Sequence, residues 1–203
     1  MKIVYISSST IPSRTANSIH VMKMCQAFAN NGHEVTLIAP DNTAGIEPGI
    51  SDIYDFYGVK KCFELIKVPM LPTRGRGHVY GYRAARIARQ VAPDIVYCRN
   101  TPGCFFATRF KMQSIFESHA PAKDSGIICG WMFKKIIASK SLKKLVVITH
   151  ALKDYYMAHY PQISCEIQVA PDGADPVPDD IVPVELPGEK GRLKVGYVGH
   201  LYK

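Results

Sequence analysis

The residues from Ile3 to Pro40 read as strand, polar loop, helix, strand, and that order leaves few folds open to the chain. IVYIS is a short apolar run rich in β-branched residues, the composition of a buried strand. After the polar loop SSTIPSRTANS, residues Val21, Met24, Cys25, Phe28 and Ala29 fall at i, i+3, i+4, i+7 and i+8, one apolar stripe on a helix. Asn17 or Ser18 is placed to cap that helix, and Gly32 to stop it with a left-handed residue. EVTLIAP is then a second strand. Strands joined through a helix must run parallel, with a crossover between them. Ligands of such sheets sit beyond the carboxyl ends of the strands, near helix N-termini, so chemistry is expected around the loop from Ser7 to Ser18.

The same alternation continues down the chain. FELIKV, DIVYC, SIFES, LVVIT and EIQVAP read as further strands. Between them lie a short helix over SDIYDFYGV, capped by Ser51 or Asp52, and a helix with Tyr80, Ala84, Ile87, Ala88 and Val91 inward and Arg83, Arg86 and Arg89 outward. Next come a helix from Thr101 to Phe110 capped by Thr101, one from Ile127 to Lys140, and one capped by Thr149. Repeated strand–helix alternation predicts an α/β, doubly wound, Rossmann-like parallel sheet. The composition changes at DPVPDDIVPVELPGEKG, which holds four prolines and five acids and has linker chemistry. RLKVGYVGHLYK follows as one more apolar strand, and a lone parallel strand cannot bury its faces. The expected organisation is a Rossmann-like domain over 1–175, a linker over 176–191, and the first strand of a truncated second domain over 192–203; the alternative is that this strand packs back on the first sheet.

Bulk properties narrow the partners. With 47% hydrophobic residues in 203, the chain can bury one good core. No apolar run reaches the roughly 18 residues needed to span a bilayer, and no secretory leader is visible, so a cytoplasmic location is expected. Cys25, Cys62, Cys98, Cys104, Cys129 and Cys165 show no metal-ligand spacing, and buried reduced thiols are expected. The net charge of +8 favours an anionic partner: phosphate, acidic lipid or nucleic acid. Nucleic acid is disfavoured, because the charge is diffuse and no aromatic–basic platform is visible.

The order of IPSRTANSIHVMKMCQAFANNGHEV, DIVYCRN, FESHAP, LVVITHALKDYY, VAPDGADP and VGYVGHLYK resembles the N-terminal half of a GT-B glycosyltransferase of the retaining family 4 (group 1) branch, over essentially all of Met1 to Lys203. The resemblance implies retaining, metal-independent transfer of a sugar from a nucleotide-sugar, with no cofactor besides that donor. It also implies an N-terminal domain that mainly holds the acceptor, a glycan or a lipid-linked molecule, while a second domain holds the donor. By the same resemblance His119 is the expected catalytic residue, beside the transferred sugar; the other reading is a satisfied structural histidine. Glu117 stands two residues earlier, on the same face of the strand, where it orients His119, binds an acceptor hydroxyl or pairs with a lysine. Thr15 and Ala16 stand where the family often has two adjacent glycines against the diphosphate, and with Asn17 they are expected to contact donor phosphate or acceptor; the other reading is a plain helix start. Arg99 and Asn100 follow the fourth strand on the same rim, with Arg99 placed to grip an anionic acceptor or to form a structural ion pair. Arg14, Arg74 and Arg76 lie in rim loops. Asp172, Gly173 and Asp175 resemble the family's turn at the domain crossing, and Gly199 and His200 the start of its donor-diphosphate motif, with histidine where arginine is frequent. Residues 1–203 alone are not expected to turn over.

Three further readings stand beside this one. The helix GWMFKKIIASKSLKK is expected either to set Trp131 and Ile137 toward lipid, with Lys134, Lys135, Lys140, Lys143 and Lys144 on anionic headgroups, or to bury its apolar face and solvate its lysines. A nicotinamide-dependent oxidoreductase would carry GxGxxG after the first strand, but no glycine stands between Ser7 and Gly32. A non-catalytic sugar- or nucleotide-binding module is the remaining alternative.

Overall fold

The computed structural model describes residues 1–42, 45–71, 73–122, 126–176, 179–182, 185–188 and 191–196. They divide into two units, Met1–Pro171 and Asp172–Lys203. The first holds β1 (Lys2–Ile6), α1 (Ala16–Asn30), β2 (Glu34–Asp41), α2 (Ile53–Phe56), β3 (Glu64–Pro69), α3 (Arg76–Val91), β4 (Ile95–Cys98), α4 (Thr101–Arg109), β5 (Ser114–Ser118), α5 (Ile127–Ile137), β6 (Leu142–Val147), α6 (His150–His159) and β7 (Glu166–Val169). The strands form one sheet in the order β3-β2-β1-β4-β5-β6-β7, with every pairing parallel. The doubly wound α/β expectation is therefore met.

The strand order reverses between β1 and β4, and open α/β sheets bind ligands outside the carboxyl ends at such a switch point. The sheet's alternation assigns its two faces. Val4, Ile6, Val96, Cys98 and Phe116 pack against α3, α4, α5 and α6. Ile3, Tyr5, Tyr97 and Ile115 take the other face, with Val21, Met22 and Cys25 of α1 and Tyr57 beyond α2. Register aligns Tyr5 with Tyr97 and Tyr97 with Ile115, so one face carries these three in a row.

Several local expectations are corrected. The cap of α1 is Thr15, not Asn17 or Ser18; its hydroxyl accepts from the Ser18 amide, so the helix begins two or three residues earlier. The cap of α4 is Asn100, not Thr101, with its side-chain oxygen 2.7 Å from the Gly103 amide. This arrangement fits because α4 starts deep against β1: a Cβ on Gly103 would stand 2.7 Å from Ile6 Cγ2. Helix α5 ends at Ile137, short of Lys140. All six cysteines are free, but only Cys25, Cys98 and Cys104 are buried, and Cys62 is exposed. Arg14 pairs with Glu47 at 2.9 Å.

The lipid-facing set drawn on α5 is also revised. Ile137 is 1% exposed and belongs to the core. Lys144 lies on β6, where it meets Glu166 at 3.2 Å and Gln168 at 2.8 Å. In the second unit the described residues hold no helix or strand. The strand expected over 192–203 is absent from residues 192–196, and residues 197–203, with Gly199 and His200, lie outside the described residues.

Candidate functional site

The site grows from parity and register. Arg99 and Glu117 each stand two residues beyond Tyr97 and Ile115, so both side chains emerge on the face that α1 covers. His119 follows Glu117 by two and lies on the same side. Backbone pairing carries past the strand ends, with the Arg99 amide donating to Ile6 O at 3.1 Å. Arg99 is thereby anchored at the switch point itself. Helix α1 then contributes His20, one turn in from Ala16.

These side chains converge on one carboxylate. Glu117 is 3% exposed. Its Oε1 bonds with His119 Nε2 and lies 3.0 Å from His20 Nε2 and 3.9 Å from Arg99 Nε. Its Oε2 accepts from the Tyr5 hydroxyl at 3.3 Å. Burial pushes the Glu117 carboxyl up, but hydrogen bonds from His119, His20 and Tyr97 and the charge of His20 outweigh it and hold the group well below the usual carboxylate range. A buried charge survives only when paired in this way.

The neighbours also set the histidine's tautomer. Arg99 Nη2 lies 3.0 Å from His119 Nδ1, and a guanidinium can only donate. Nδ1 therefore accepts, and Nε2 carries the proton that faces Glu117. Both ring nitrogens are engaged, so donation from this imidazole to a sugar hydroxyl requires one of these bonds to be exchanged. The His20 ring meets that of His119 edge-on at 5.4 Å. On the far side, the Tyr156 hydroxyl braces the loop around His119, 2.7 Å from Ser118 Oγ and 3.0 Å from Ala120 O. Burial pushes the Tyr156 phenol up to about 12, so it stays neutral.

Two buried polar atoms at this rim have no partner among the described residues, Arg99 Nη1 and Asn17 Oδ1. Unsatisfied buried groups are uncommon and call for an explanation. Thr15 is occupied in capping α1, with its hydroxyl 3.0 Å from Ser13 Oγ and 3.1 Å from Ser18 Oγ. Thr15 has φ −74°, and Ala16 follows in the helix, so neither takes the left-handed conformation that a glycine pair would allow. The structure thus brings Arg99, Glu117 and His119 into one network and sets Thr15, Ala16 and Asn17 at the start of the helix that supplies His20. Asn100 stands beside them with its oxygen committed to α4.

His20 is the residue that the sequence reading missed. The available signal was its place one turn from the α1 start, where a helix opens toward the ligand edge. His20, Glu117 and His119 place their ligand atoms within 4.8 Å of one another, a spacing that could hold a metal ion. The Arg99 guanidinium already sits against the same carboxylate oxygen and repels a second cation there.

Comparison with known proteins agrees with this architecture. The sequence model of Glycosyltransferase Family 4 matches residues 18–177. Sucrose-phosphate synthase from Thermosynechococcus elongatus is similar in structure with a TM-score of 0.62 at 11% identity, over 86% of this chain and 48% of that one. The lipopolysaccharide outer core galactosyltransferase WaaB aligns with a TM-score of 0.58 at 14% identity, over 89% of this chain and 50% of that one. A glycosyltransferase from Rickettsia africae ESF-5 gives 0.54 at 16% identity, over 86% and 43%. The chain thus spans about half the length of these structures. No curated protein sequence matches it. With most of its length matched by the family's model and its sheet built as in these enzymes, the chain belongs to Glycosyltransferase Family 4.

Proposed function

We propose that this chain is the acceptor-binding half of a retaining, metal-independent, hexosyl-type glycosyltransferase, moving a sugar from a nucleotide-sugar to a glycan or lipid-linked acceptor. The observation that carries the reading is the Glu117-centred network at the switch point, with Arg99 Nη1 buried beside it and unsatisfied. A retaining transfer passes through an oxocarbenium-like state while negative charge grows on the leaving diphosphate. It needs donors aimed at that charge and a shell that aims the acceptor hydroxyl.

In this reading His119 is the catalytic residue beside the transferred sugar, held by Glu117 from one side and Arg99 from the other. Arg99 turns its remaining N–H toward an anionic group of the acceptor. Thr15, Ala16 and Asn17 meet substrate at the start of α1, where backbone N–H groups favour anions, and Thr15 does so through its backbone. Asn100 offers its amide nitrogen. Gly199 and His200 belong to the donor-diphosphate side. The reaction needs no resident cofactor, and the chain works in the cytoplasm, peripherally at the inner face of the membrane.

Half a cleft cannot enclose a transition state, so residues 1–203 alone bind acceptor without turning it over. The test is a labelled-sugar transfer assay on residues 1–203, with and without a donor-binding partner domain. Transfer is expected only with the partner, with the donor's anomeric configuration kept and the rate unchanged by a chelator. Turnover by residues 1–203 alone, or an inverted product, overturns the reading.

A further inference from the structure

We infer that α3, α4 and α5 together form a docking face for an anionic lipid bilayer. Three observations outside the candidate site carry this. First, an aromatic band crosses the three helices: Tyr82 packs on Phe106 at 5.2 Å, Phe106 on Phe105 at 5.1 Å, and Phe105 on Trp131 at 5.4 Å. Its outer members stay in solvent, Tyr82 at 41% exposure and Trp131 at 51%, and beside them Ile127 is 92% and Ile128 59% exposed.

Second, the charge is one-sided. The sequences of α3, α4 and α5 contain no Asp or Glu; α3 carries four arginines, α4 Arg109, and α5 Lys134 and Lys135. The cations frame the aromatic band, with Arg89 over Phe110 at 5.7 Å and Lys135 over Trp131 at 6.0 Å. On α3 the residues Tyr82, Arg86 and Arg89 share one stripe by helical spacing. Indole and phenol rings prefer the headgroup level of a bilayer, aliphatic chains enter just beneath it, and flanking lysines and arginines meet anionic headgroups.

Third, topology places this face beside the site. Each helix runs back from the carboxyl edge of the parallel sheet, so the first turn of α5, with Ile127 and Ile128, lies at the edge where β5 delivers His119. A docked chain opens its site along the bilayer surface, which suits an acceptor with a lipid tail. That last step rests on the proposed transfer reaction; the docking itself does not. Nucleic acid would satisfy the cations and stack on the rings, but it has nothing to cover two exposed isoleucines.

Trp131 is the chain's single tryptophan and reports directly on the face. The experiment mixes the whole chain with phosphatidylcholine vesicles holding 0 or 30% phosphatidylglycerol, without any nucleotide-sugar, and follows co-sedimentation and Trp131 emission. Binding that needs the anionic lipid, weakens with salt and shifts the emission to the blue is the expected result. Lys134→Gln with Lys135→Gln lowers the partition constant about 25-fold, from about 1 kcal/mol, or fivefold, per basic residue. Ile127→Ser with Ile128→Ser removes most of the blue shift, while circular dichroism keeps its native melt. Equal binding to neutral vesicles, tight binding of duplex DNA in place of vesicles, or a dimer in sedimentation velocity that buries Trp131 each overturns the proposal. Failure here removes the peripheral location but leaves the transfer chemistry intact, because no acceptor or donor is present.

Discussion

Glu117 combines near-complete burial with two imidazoles and a guanidinium, and this decides how it responds to acid. Its carboxyl is held below the ordinary range in the folded chain, so the unfolded chain binds the proton more tightly. Its stabilisation is fully present above the ordinary glutamate value of about 4.3 and is lost as pH falls from there through the depressed native value. Glu117→Gln should therefore lower Tm at pH 7 and flatten the fall of Tm between pH 5 and pH 3; melting curves across that range check both, and parallel acid limbs would refute the assignment. Arg99 makes a different prediction. Lysine keeps the charge but not the planar fork that reaches His119 while leaving Nη1 for a ligand. Arg99→Lys should raise the acceptor's Kd by tenfold or more, on the basis of about 1.5–3 kcal/mol for a hydrogen bond to a charged group. Calorimetric titration of acceptor measures it, and an unchanged Kd would leave Arg99 a purely structural ion pair.

At the scale of elements, α3 and α4 meet through backbone. A Cβ on Gly81 would stand 2.5 Å from Pro102 Cβ and 2.7 Å from Gly103 N, with no flexible side-chain end to move aside. Gly81→Ala should destabilise the chain by about 1–3 kcal/mol, the usual range for overpacking, and Gly77→Ala, with open space around it, should not. Chemical denaturation of the pair separates the packing effect from any helix propensity the alanine adds. The element boundaries show where local reading succeeds and where it slips. The seven strands and six helices among the described residues of the first unit were legible from apolar runs, helical stripes and capping residues. The caps of α1 and α4 differ from the expected ones, because more than one short polar residue stands near each start, Thr15, Asn17 and Ser18 at one and Asn100 and Thr101 at the other. Which of them turns its oxygen inward depends on how deeply the helix seats on the sheet.

For the molecule as a whole, alternating strands and helices were enough to require a parallel sheet with crossovers. Within one strand the period of two was enough to put Glu117 and His119 on the same side. The α5 face was half legible: Trp131, Lys134 and Lys135 stand outside, but Ile137 faces the core, because the helix's rotation on the sheet is a packing outcome and not a pattern. The pairing of Arg99 with His119, and the entry of His20 from α1, were not legible. Apolar periodicity and the alternation of elements are written in local residue preferences, so the sequence by itself determined the fold class and, with it, the edge at which sheets of this class bind ligands. Only the tertiary structure decided which side chains share that edge, because hydrogen-bonded register between β1, β4 and β5, and the seating of α1 upon them, join residues about a hundred positions apart.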